Sequence, residues 1–273
     1  MEQSKKRSYA KRSLGQNFLV DGEYIRKVIE AIDLSHVETV IEIGPGRGAL
    51  TEHLVASGAE VLAVELDREF VPMLRDRFAK FPNFRAIEAD ATAVDFATLR
   101  ITNPQSAIRN PHLAKVIANL PYYISTAILQ KLSDHRTCFS SLVLMFQREV
   151  VDRITAKPGN SDRGYLTVLV ESAFVTEKLF DVPPTAFRPQ PKVWSSVVRM
   201  IPKETVIKNP NEFRKMVSTG FAHKRKTILN NLKTIYPDVV TALERASIDP
   251  DRRAETFSLE EWLRLAKVIS DPK

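Results

Sequence analysis

The 273-residue chain is 44% hydrophobic and 27% charged, which excludes a low-complexity or fibrous protein and favours a globular one. A single cysteine excludes an intrachain disulfide and a cysteine-rich zinc site, and no metal site is predicted. The net charge of +7 is uneven, because residues 188–236 carry +9 and residues 1–12 carry +4, which leaves −6 for the remainder. Basic residues concentrated in two segments are typical of a polyanion-binding surface, although two solvated faces would give the same count.

The N-terminus is basic, and residues 1–15 are predicted to form a flexible segment until a partner binds. No apolar stretch follows it as in a secretory signal, and no run approaches the 18 apolar residues of a membrane span. We therefore expect a cytoplasmic protein.

Strands and helices are predicted to alternate after a first helix over 21–33. The predicted strands are 38–44, 59–67, 83–90, 115–118 and 139–147, and the predicted helices are 49–58, 68–81, 125–134 and 149–157. This alternation indicates an α/β fold, with a Rossmann-like, mostly parallel sheet and helices on both of its faces.

The pattern changes near the C-terminus. Segments 173–182 and 192–201 are β-rich and predict an antiparallel pair at the sheet edge. After Pro202 the apolar spacing is helical. We therefore predict one domain over 16–204 and a small all-helical domain over 205–273.

Three glycines, Gly44, Gly46 and Gly48, lie at the first strand-to-helix junction, where they let the backbone approach a ligand closely. Glu65 ends the next predicted strand, where a carboxylate can accept both ribose hydroxyls of a nucleoside. Asp90 ends the third strand and can meet an adenine amino group. The sequence predicts a nucleoside site at this edge of the sheet.

The glycine pattern alone also fits a dinucleotide-binding dehydrogenase. Glu42 disfavours a pyrophosphate at this turn and would suit a cationic sulfonium, and Pro45 is unusual in a pyrophosphate turn. These residues favour S-adenosylmethionine over a dinucleotide.

The tetrapeptide Asn119-Leu120-Pro121-Tyr122 follows the fourth predicted strand. Its amide can accept a hydrogen bond from a planar amino group, its proline fixes the backbone, and its aromatic ring can stack on a base. This combination favours methyl transfer to an exocyclic amino nitrogen.

Taken together, several motifs resemble those of the ribosomal RNA adenine N6-dimethyltransferases from about Lys11 to the C-terminus. They are LGQNFL (14–19), EIGPGRGALT (42–51), VELD (64–67), EAD (88–90), NLPYYIS (119–125), QREVVDRITAKPG (147–159), AFRPQPKVWSSVV (186–198) and HKRKTILNNL (223–232). With leucine at position 120, this chain resembles the small-subunit enzymes more than the antibiotic-resistance methyltransferases that act on large-subunit rRNA.

The resemblance implies a class I methyltransferase fold that uses S-adenosyl-L-methionine and releases S-adenosyl-L-homocysteine. It implies dimethylation of two adjacent adenines near the 3′ end of 16S rRNA, within an immature small ribosomal subunit, by a monomer. The cofactor residues that it implies are Gln16, Asn17, Leu19, Gly44, Gly46, Glu65, Leu66, Asp90, Ala91 and Asn119.

The resemblance also implies that Asn119 and the Leu120 carbonyl orient the target amino group within the NLPY segment, with Pro121. Tyr122 would stack on the base, and Phe187 would either stack on it or brace its loop. Phosphate contacts are predicted for Arg188, Lys192, Lys224, Arg225 and Lys226.

Three alternatives remain open. One is a large-subunit rRNA methyltransferase of the antibiotic-resistance type. A second is a protein amide methyltransferase, which the basic helical domain disfavours. The third is a mainly non-catalytic ribosome assembly factor.

Overall fold

A computed structural model describes residues 16–34, 38–99, 113–121, 124–204 and 207–270. The chain divides into two compact units, Met1–Val151 with Glu177–Pro202, and Asp152–Thr176 with Lys203–Lys273. The predicted domain boundary after residue 204 lies close to Pro202, after which the chain passes from the first unit to the second for the last time. Residues 152–176, which the prediction placed in the first domain, group with the second unit. The predicted segment 1–15 lies outside the described residues.

The strands are β1 (Phe18–Leu19), β2 (Thr39–Ile43), β3 (Glu60–Glu65), β4 (Phe84–Glu88), β5 (Ala114–Asn119), β6 (Phe139–Gln147), β7 (Phe174–Val182), β8 (Phe187–Arg188) and β9 (Ser195–Pro202). The α-helices are α1 (Gly22–Ile32), α2 (Ala49–Ala56), α3 (Phe70–Arg77), α4 (Ser125–Asp134), α5 (Arg148–Ile154), α6 (Tyr165–Ala173), α7 (Pro210–Gly220), α8 (Ile228–Leu232), α9 (Val239–Arg245) and α10 (Leu259–Ser270). None of the helices in the described ranges has the length and apolar character that a membrane crossing requires.

A seven-stranded sheet has the order β4-β3-β2-β5-β6-β9-β7. The first five strands are parallel to their neighbours, and β9 pairs antiparallel with β6. The predicted α/β fold with a mostly parallel sheet is confirmed. The antiparallel strand β9 lies one position in from the edge, which β7 occupies.

Consecutive residues of the central strands are buried on both faces of the sheet, as shown by Val40 with Ile41 and Val61 with Leu62. Burial on both faces is what the near-continuous apolar runs of these strands predict. The core on one side joins α1, α2 and α3 to the sheet, and it includes Leu19 and Phe187. The short antiparallel pair β1–β8 places these two residues opposite each other.

The strand order reverses at β2, because β3 lies on one side of it and β5 on the other. Such a switch point opens a crevice at the carboxyl ends of the strands. The residues that reach this crevice first are Gly44 after β2, Glu65 at the end of β3 and Asn119 at the end of β5. The topology therefore brings three of the predicted site residues to one edge.

The second unit is helical and has its own apolar core around Trp262, which is fully buried. Gly220 ends α7 against this ring, and a Cβ there would lie 2.5 Å from the indole. The helix α6 belongs to this unit and was not predicted. Its segment YLTVLVESA is apolar on nearly all sides, so it lacks the one-sided stripe that marks a surface helix.

Arg163 is buried in the second unit, with 1% of its surface exposed. Its Nε donates to the Phe257 carbonyl at 3.1 Å, and one terminal nitrogen donates to the Ala156 carbonyl at 2.9 Å. The other terminal nitrogen forms an ion pair with Glu171 at 2.5 Å. These bonds tie the start of α6 to the segment before α10.

Candidate functional site

The turn between β2 and α2 has left-handed backbone conformations at glycine positions. Gly44 has a φ of 68° and Gly46 a φ of 56°. The Gly44 amide donates to the Val64 carbonyl at 2.9 Å, which joins the turn to β3. A Cβ at Gly46 would lie 2.9 Å from the Phe18 ring, so a side chain there would be both strained and crowded.

Glu65 links the glycine turn to the end of β3. One carboxylate oxygen accepts a hydrogen bond from the Gly46 amide at 2.9 Å, and the other accepts one from the Asp67 amide at 2.8 Å. Burial raises the pKa of Glu65, and these two amide donors partly offset the increase. The next residue, Leu66, has 48% of its surface exposed at the same strand end. A fixed carboxylate beside an exposed apolar side chain suits a ribose with an attached base.

Asn119 ends β5 beside the glycine turn, and a Cβ on Gly44 would lie 3.9 Å from the Asn119 carbonyl oxygen. The Asn119 side-chain nitrogen donates to the Asn17 carbonyl at 3.1 Å. This bond orients the amide and assigns Oδ1 as its acceptor end. Leu120 follows with its amide bonded to the Met145 carbonyl at 3.2 Å, so β6 holds the start of the tetrapeptide.

These groups surround a cavity of about 400 Å³, which is within the range of small-molecule sites. The predicted residues that line it come from the N-terminal segment and from three strand ends. They are Gln16, Asn17, Leu19, Gly44, Gly46, Glu65, Leu66, Asn119, Leu120 and Pro121. Gln16 donates to the buried Asp67 carboxylate at 3.1 Å, which ties the N-terminal wall to the segment after β3.

Asp90 and Ala91 do not line this cavity. Asp90 is exposed two residues after β4, and its carboxylate accepts hydrogen bonds from the amide and the hydroxyl of Thr92. The Ala89 amide donates to the Glu65 carbonyl at 2.9 Å, so the chain before Asp90 runs beside Glu65. Their roles at the adenine ring stay predictions.

The sequence analysis missed Phe18 and Arg47, which also line the cavity. The Arg47 guanidinium lies 4.6 Å from the centre of the Phe18 ring, and Phe18 packs edge-on against Phe70. Phe18 lies within the motif LGQNFL, so its neighbours Asn17 and Leu19 were the available signal. The position of Arg47 depends on the fold of the turn and has no independent signal in the sequence.

Glu42 is buried in the cavity wall with 1% of its surface exposed. The Thr51 hydroxyl donates to its carboxylate at 2.6 Å. Burial raises the pKa of Glu42 to about 8, and the nearby Glu65 carboxylate adds to the increase. A carboxyl group in this state favours the arrival of a cation in the cavity.

Phe187 has 1% of its surface exposed and packs in the core of the first unit, opposite Leu19 in the β1–β8 pair. This burial favours the interpretation in which the ring braces its loop over the one in which it stacks on a base. Its role stays a prediction. Tyr122, the other predicted stacking residue, lies outside the described residues.

The predicted phosphate contacts are exposed in both units. Arg188 ends β8 in the first unit, and Lys192 lies between β8 and β9. Lys224, Arg225 and Lys226 form the exposed basic turn of the second unit, which precedes α8. Their contacts with RNA stay predictions.

Comparison with known proteins identifies the family. A model of the family described as ribosomal RNA adenine dimethylase matches residues 7–271. The chain belongs to this family. It is an S-adenosylmethionine-dependent methyltransferase, and the residues of its cavity fit that cofactor, because Glu65 and Leu66 suit a nucleoside and Glu42 suits a cation.

Three similar proteins illustrate the match. A protein from Hahella chejuensis named ribosomal RNA small subunit methyltransferase A is 41% identical over 265 residues, which are 96% of this chain and 93% of that protein. The crystal structure of a dimethyladenosine transferase from Plasmodium falciparum has a TM-score of 0.76 and 27% identity, and the match covers 90% of this chain and 95% of that one. The structure of the 23S rRNA methyltransferase ErmE has a TM-score of 0.67 and 25% identity, covering 93% of this chain and all of that one (100%).

Proposed function

We propose that this chain transfers methyl groups to the exocyclic N6 of two adjacent adenines near the 3′ end of 16S rRNA, giving N6,N6-dimethyladenosine. One observation carries the proposal. The end of β5 lies beside the glycine turn, and the Asn119 side-chain nitrogen donates to the Asn17 carbonyl, which makes Oδ1 the acceptor end of the amide. This is the group required to orient an amino nitrogen at the wall of a nucleoside cavity.

The cavity residues would hold S-adenosylmethionine, which supplies an electrophilic methyl group. Glu65 would accept hydrogen bonds from ribose hydroxyls, since its carboxylate is fixed by the Gly46 and Asp67 amides. Leu66 would contact the adenine ring of the cofactor with its exposed side chain. Glu42 would stabilise positive charge in the cavity, because its carboxyl is buried beside a second carboxyl, Glu65, and its hydrogen bonds come from the hydroxyl and backbone of Thr51, which carry no charge.

The target amino nitrogen is a weak nucleophile, because its lone pair is delocalised into the adenine ring. Asn119 Oδ1 and the Leu120 carbonyl would accept its hydrogen bonds, which favours a pyramidal nitrogen with its lone pair aimed at the methyl group. The same oxygens stabilise the positive charge that develops on nitrogen. Fixed alignment supplies much of the remaining rate increase. The methylated ammonium is acidic enough to lose its proton without a strong base.

The adenine must leave its stack to reach these oxygens. The exposed basic side chains of both units, including Arg188 and Lys224, would bind phosphates and position the RNA without reading its bases. After the first transfer, the nitrogen keeps one N–H donor, so one of the two acceptors suffices for the second.

Small-subunit rRNA is favoured over large-subunit rRNA by the relatives and by Leu120. The protein that is 41% identical is named for the small subunit, whereas the large-subunit enzyme ErmE is 25% identical. We further infer an immature small subunit as substrate, a monomeric enzyme, a cytoplasmic site of action and a contribution to small-subunit assembly.

The test is incubation with labelled S-adenosylmethionine and small ribosomal subunits that lack these methyl groups, followed by mapping of the modified nucleotides. Large subunits incubated in parallel are the matched control. We expect label on two adjacent adenines of 16S rRNA only. Label on large-subunit rRNA would select the resistance-type alternative. An absence of label, with rRNA binding retained, would select the assembly factor.

A further inference from the structure

Trp194 is exposed at the start of β9, with 43% of its surface accessible. The Arg148 guanidinium lies 5.8 Å from the centre of the indole ring, and the Arg148 amide donates to the Trp194 carbonyl at 2.9 Å. The ring is therefore held at its backbone and contacted by a cation on one side. The second tryptophan of the chain, Trp262, is fully buried in the other unit, in contrast to the exposed Trp194.

The strand register places Trp194 at the same edge of the sheet as Asn119. Asn119 lies opposite Met145 on β6, and Met145 lies opposite Val197 on β9. Two strand spacings and three residues of rise separate Asn119 from Trp194, which gives about 14 Å between their backbones. Trp194 does not line the cofactor cavity. It therefore lies at the same sheet edge as Asn119 and outside the cofactor cavity.

Two exposed cations lie close to Trp194. Arg148 contacts its ring, and Lys192 precedes it by two residues. The Asp181 carboxylate is engaged, because Ser196 donates to it and Lys178 pairs with it at 2.9 Å. Glu149 is an exposed acidic neighbour of Arg148. The cations at the ring suit a polyanion.

An exposed aromatic ring among cations has the chemistry of a platform for unpaired nucleotides, where a base stacks and the backbone meets positive charge. A protein partner fits less well. Interface centres are depleted of charge, whereas here Val193 is the exposed apolar neighbour of Trp194, and the cations Lys192 and Arg148 lie next to this pair.

We propose that Trp194, supported by Arg148, stacks an unpaired nucleotide of the substrate RNA close to the target adenine. The inference rests on the proposed function for its substrate. It assigns to Trp194 a binding role that none of the predicted RNA contacts includes. Arg148 lies against the indole and contributes a second planar group and a positive charge for the phosphate.

The main test compares Trp194→Ala, Trp194→Phe and the matched control Val193→Ala, since Val193 is an exposed apolar neighbour with 42% of its surface accessible. Loss of one stacked base should raise KM for undermethylated small subunits about 5- to 150-fold in Trp194→Ala. Trp194→Phe keeps an aromatic face and should stay within about threefold of wild type. The kcat and the affinity for S-adenosylmethionine should be unchanged. An unchanged KM in Trp194→Ala, or an equal loss in Trp194→Phe, would overturn the proposal.

A second measurement separates this inference from the proposed function. Hexa-adenylate, a single-stranded probe, should quench the emission of Trp194 at low salt, while the emission of Trp194→Phe, which comes from the buried Trp262, should not change. Quenching supports the platform even if no methyl group reaches 16S rRNA. No quenching at saturating probe counts against it even if methylation proceeds.

Discussion

Each unit of the protein buries an ionisable side chain almost completely. The two side chains, Arg163 and Glu42, differ in how well neighbouring groups offset the cost of burying a charge. Arg163 in the second unit donates to two carbonyls and pairs with Glu171. Glu42 in the first unit has hydrogen bonds from the hydroxyl and the backbone of Thr51, and a second carboxyl, Glu65, lies nearby. A buried charge whose partners are in place contributes to the fold, whereas a buried ionisable group with few partners indicates a ligand-binding site.

The largest effect on stability should come from removing Arg163, whose buried charge has its partners in place. Arg163→Ala leaves the Ala156 and Phe257 carbonyls without their donor and should lower the free energy of unfolding by about 3–5 kcal/mol. Urea unfolding followed by Trp262 emission, in a Trp194→Phe background, reports on the second unit alone. Arg253→Ala, at an exposed arginine of the same unit, is the control and should change stability by about 0.5 kcal/mol or less.

The site should show the reverse pattern, with a large loss of rate and little loss of stability. Asn119→Ala removes the proposed acceptor and should lower kcat by about 10²- to 10³-fold. It also removes one hydrogen bond to the Asn17 carbonyl, so unfolding should become easier by only about 1 kcal/mol. Single-turnover methylation, urea unfolding and rRNA binding measure the three quantities. Near-normal turnover would refute the role of Asn119.

The pH dependence of stability tests whether ionising the buried Glu42 carboxyl destabilises the folded protein. The pKa of Glu42 is raised to about 8 in the folded protein, so its stabilising contribution is complete below its ordinary pKa of 4.5 and is lost as pH rises through about 8. Glu42→Gln stays uncharged throughout. The stability of this variant relative to wild type should therefore increase between about pH 5 and pH 8, by at most about 1.4 kcal/mol per pH unit.

Urea titrations across that range, without cofactor, measure the trend. Glu52→Gln makes the same change at an exposed carboxyl that lines the same cavity. A trend equal in both variants would show that burial of Glu42 is not its cause.

The smallest effect should come from the exposed basic turn, where no charge is buried. Neutralising Lys224, Arg225 and Lys226 to glutamine should reduce the slope of log affinity against log salt by about one for each phosphate that the turn no longer neutralises. Binding of small subunits at several salt concentrations measures the slope. The matched control neutralises three exposed cations of the first unit, Arg68, Lys80 and Arg85. Equal slopes in the two variants would remove the basic turn from the RNA footprint.

Much of the first unit could be predicted, because the apolar spacings typical of strands and of helices alternate along its sequence. The strands predicted over 38–44 and 59–67 are β2 and β3, and Gly46 and Glu65 meet where the topology requires. Local sequence sufficed here, because a buried parallel strand followed by glycine and a carboxylate has few alternative structures.

The predictions that differed depend on contacts between distant segments. The sequence left Phe187 either to stack on the target base or to brace its loop, and it gave no sign of the burial that follows from pairing with Leu19, a residue far away in the chain. The segment after Pro202 was predicted to be helical, but α8 begins only at Ile228, because the Thr227 hydroxyl accepts a hydrogen bond from the Asn230 amide and caps the helix. The basic residues before it therefore lie in a turn. The membership of 152–176 in the second unit has no local signal either, since it follows from packing of residues such as Val168.

The path of the chain between the units has a consequence for its synthesis. The polypeptide leaves the first unit after residue 151, returns at 177 and leaves again after 202, so the second unit is assembled from two separate pieces. On a ribosome, residues 152–176 emerge long before the helices that complete their core. Val168 must therefore wait for the later helices that complete its core, and Arg163 for the Phe257 carbonyl, although its partners Ala156 and Glu171 lie in the same early piece. A chain that stops at residue 204 would keep this unfinished piece, so the two units cannot be separated by a single cut.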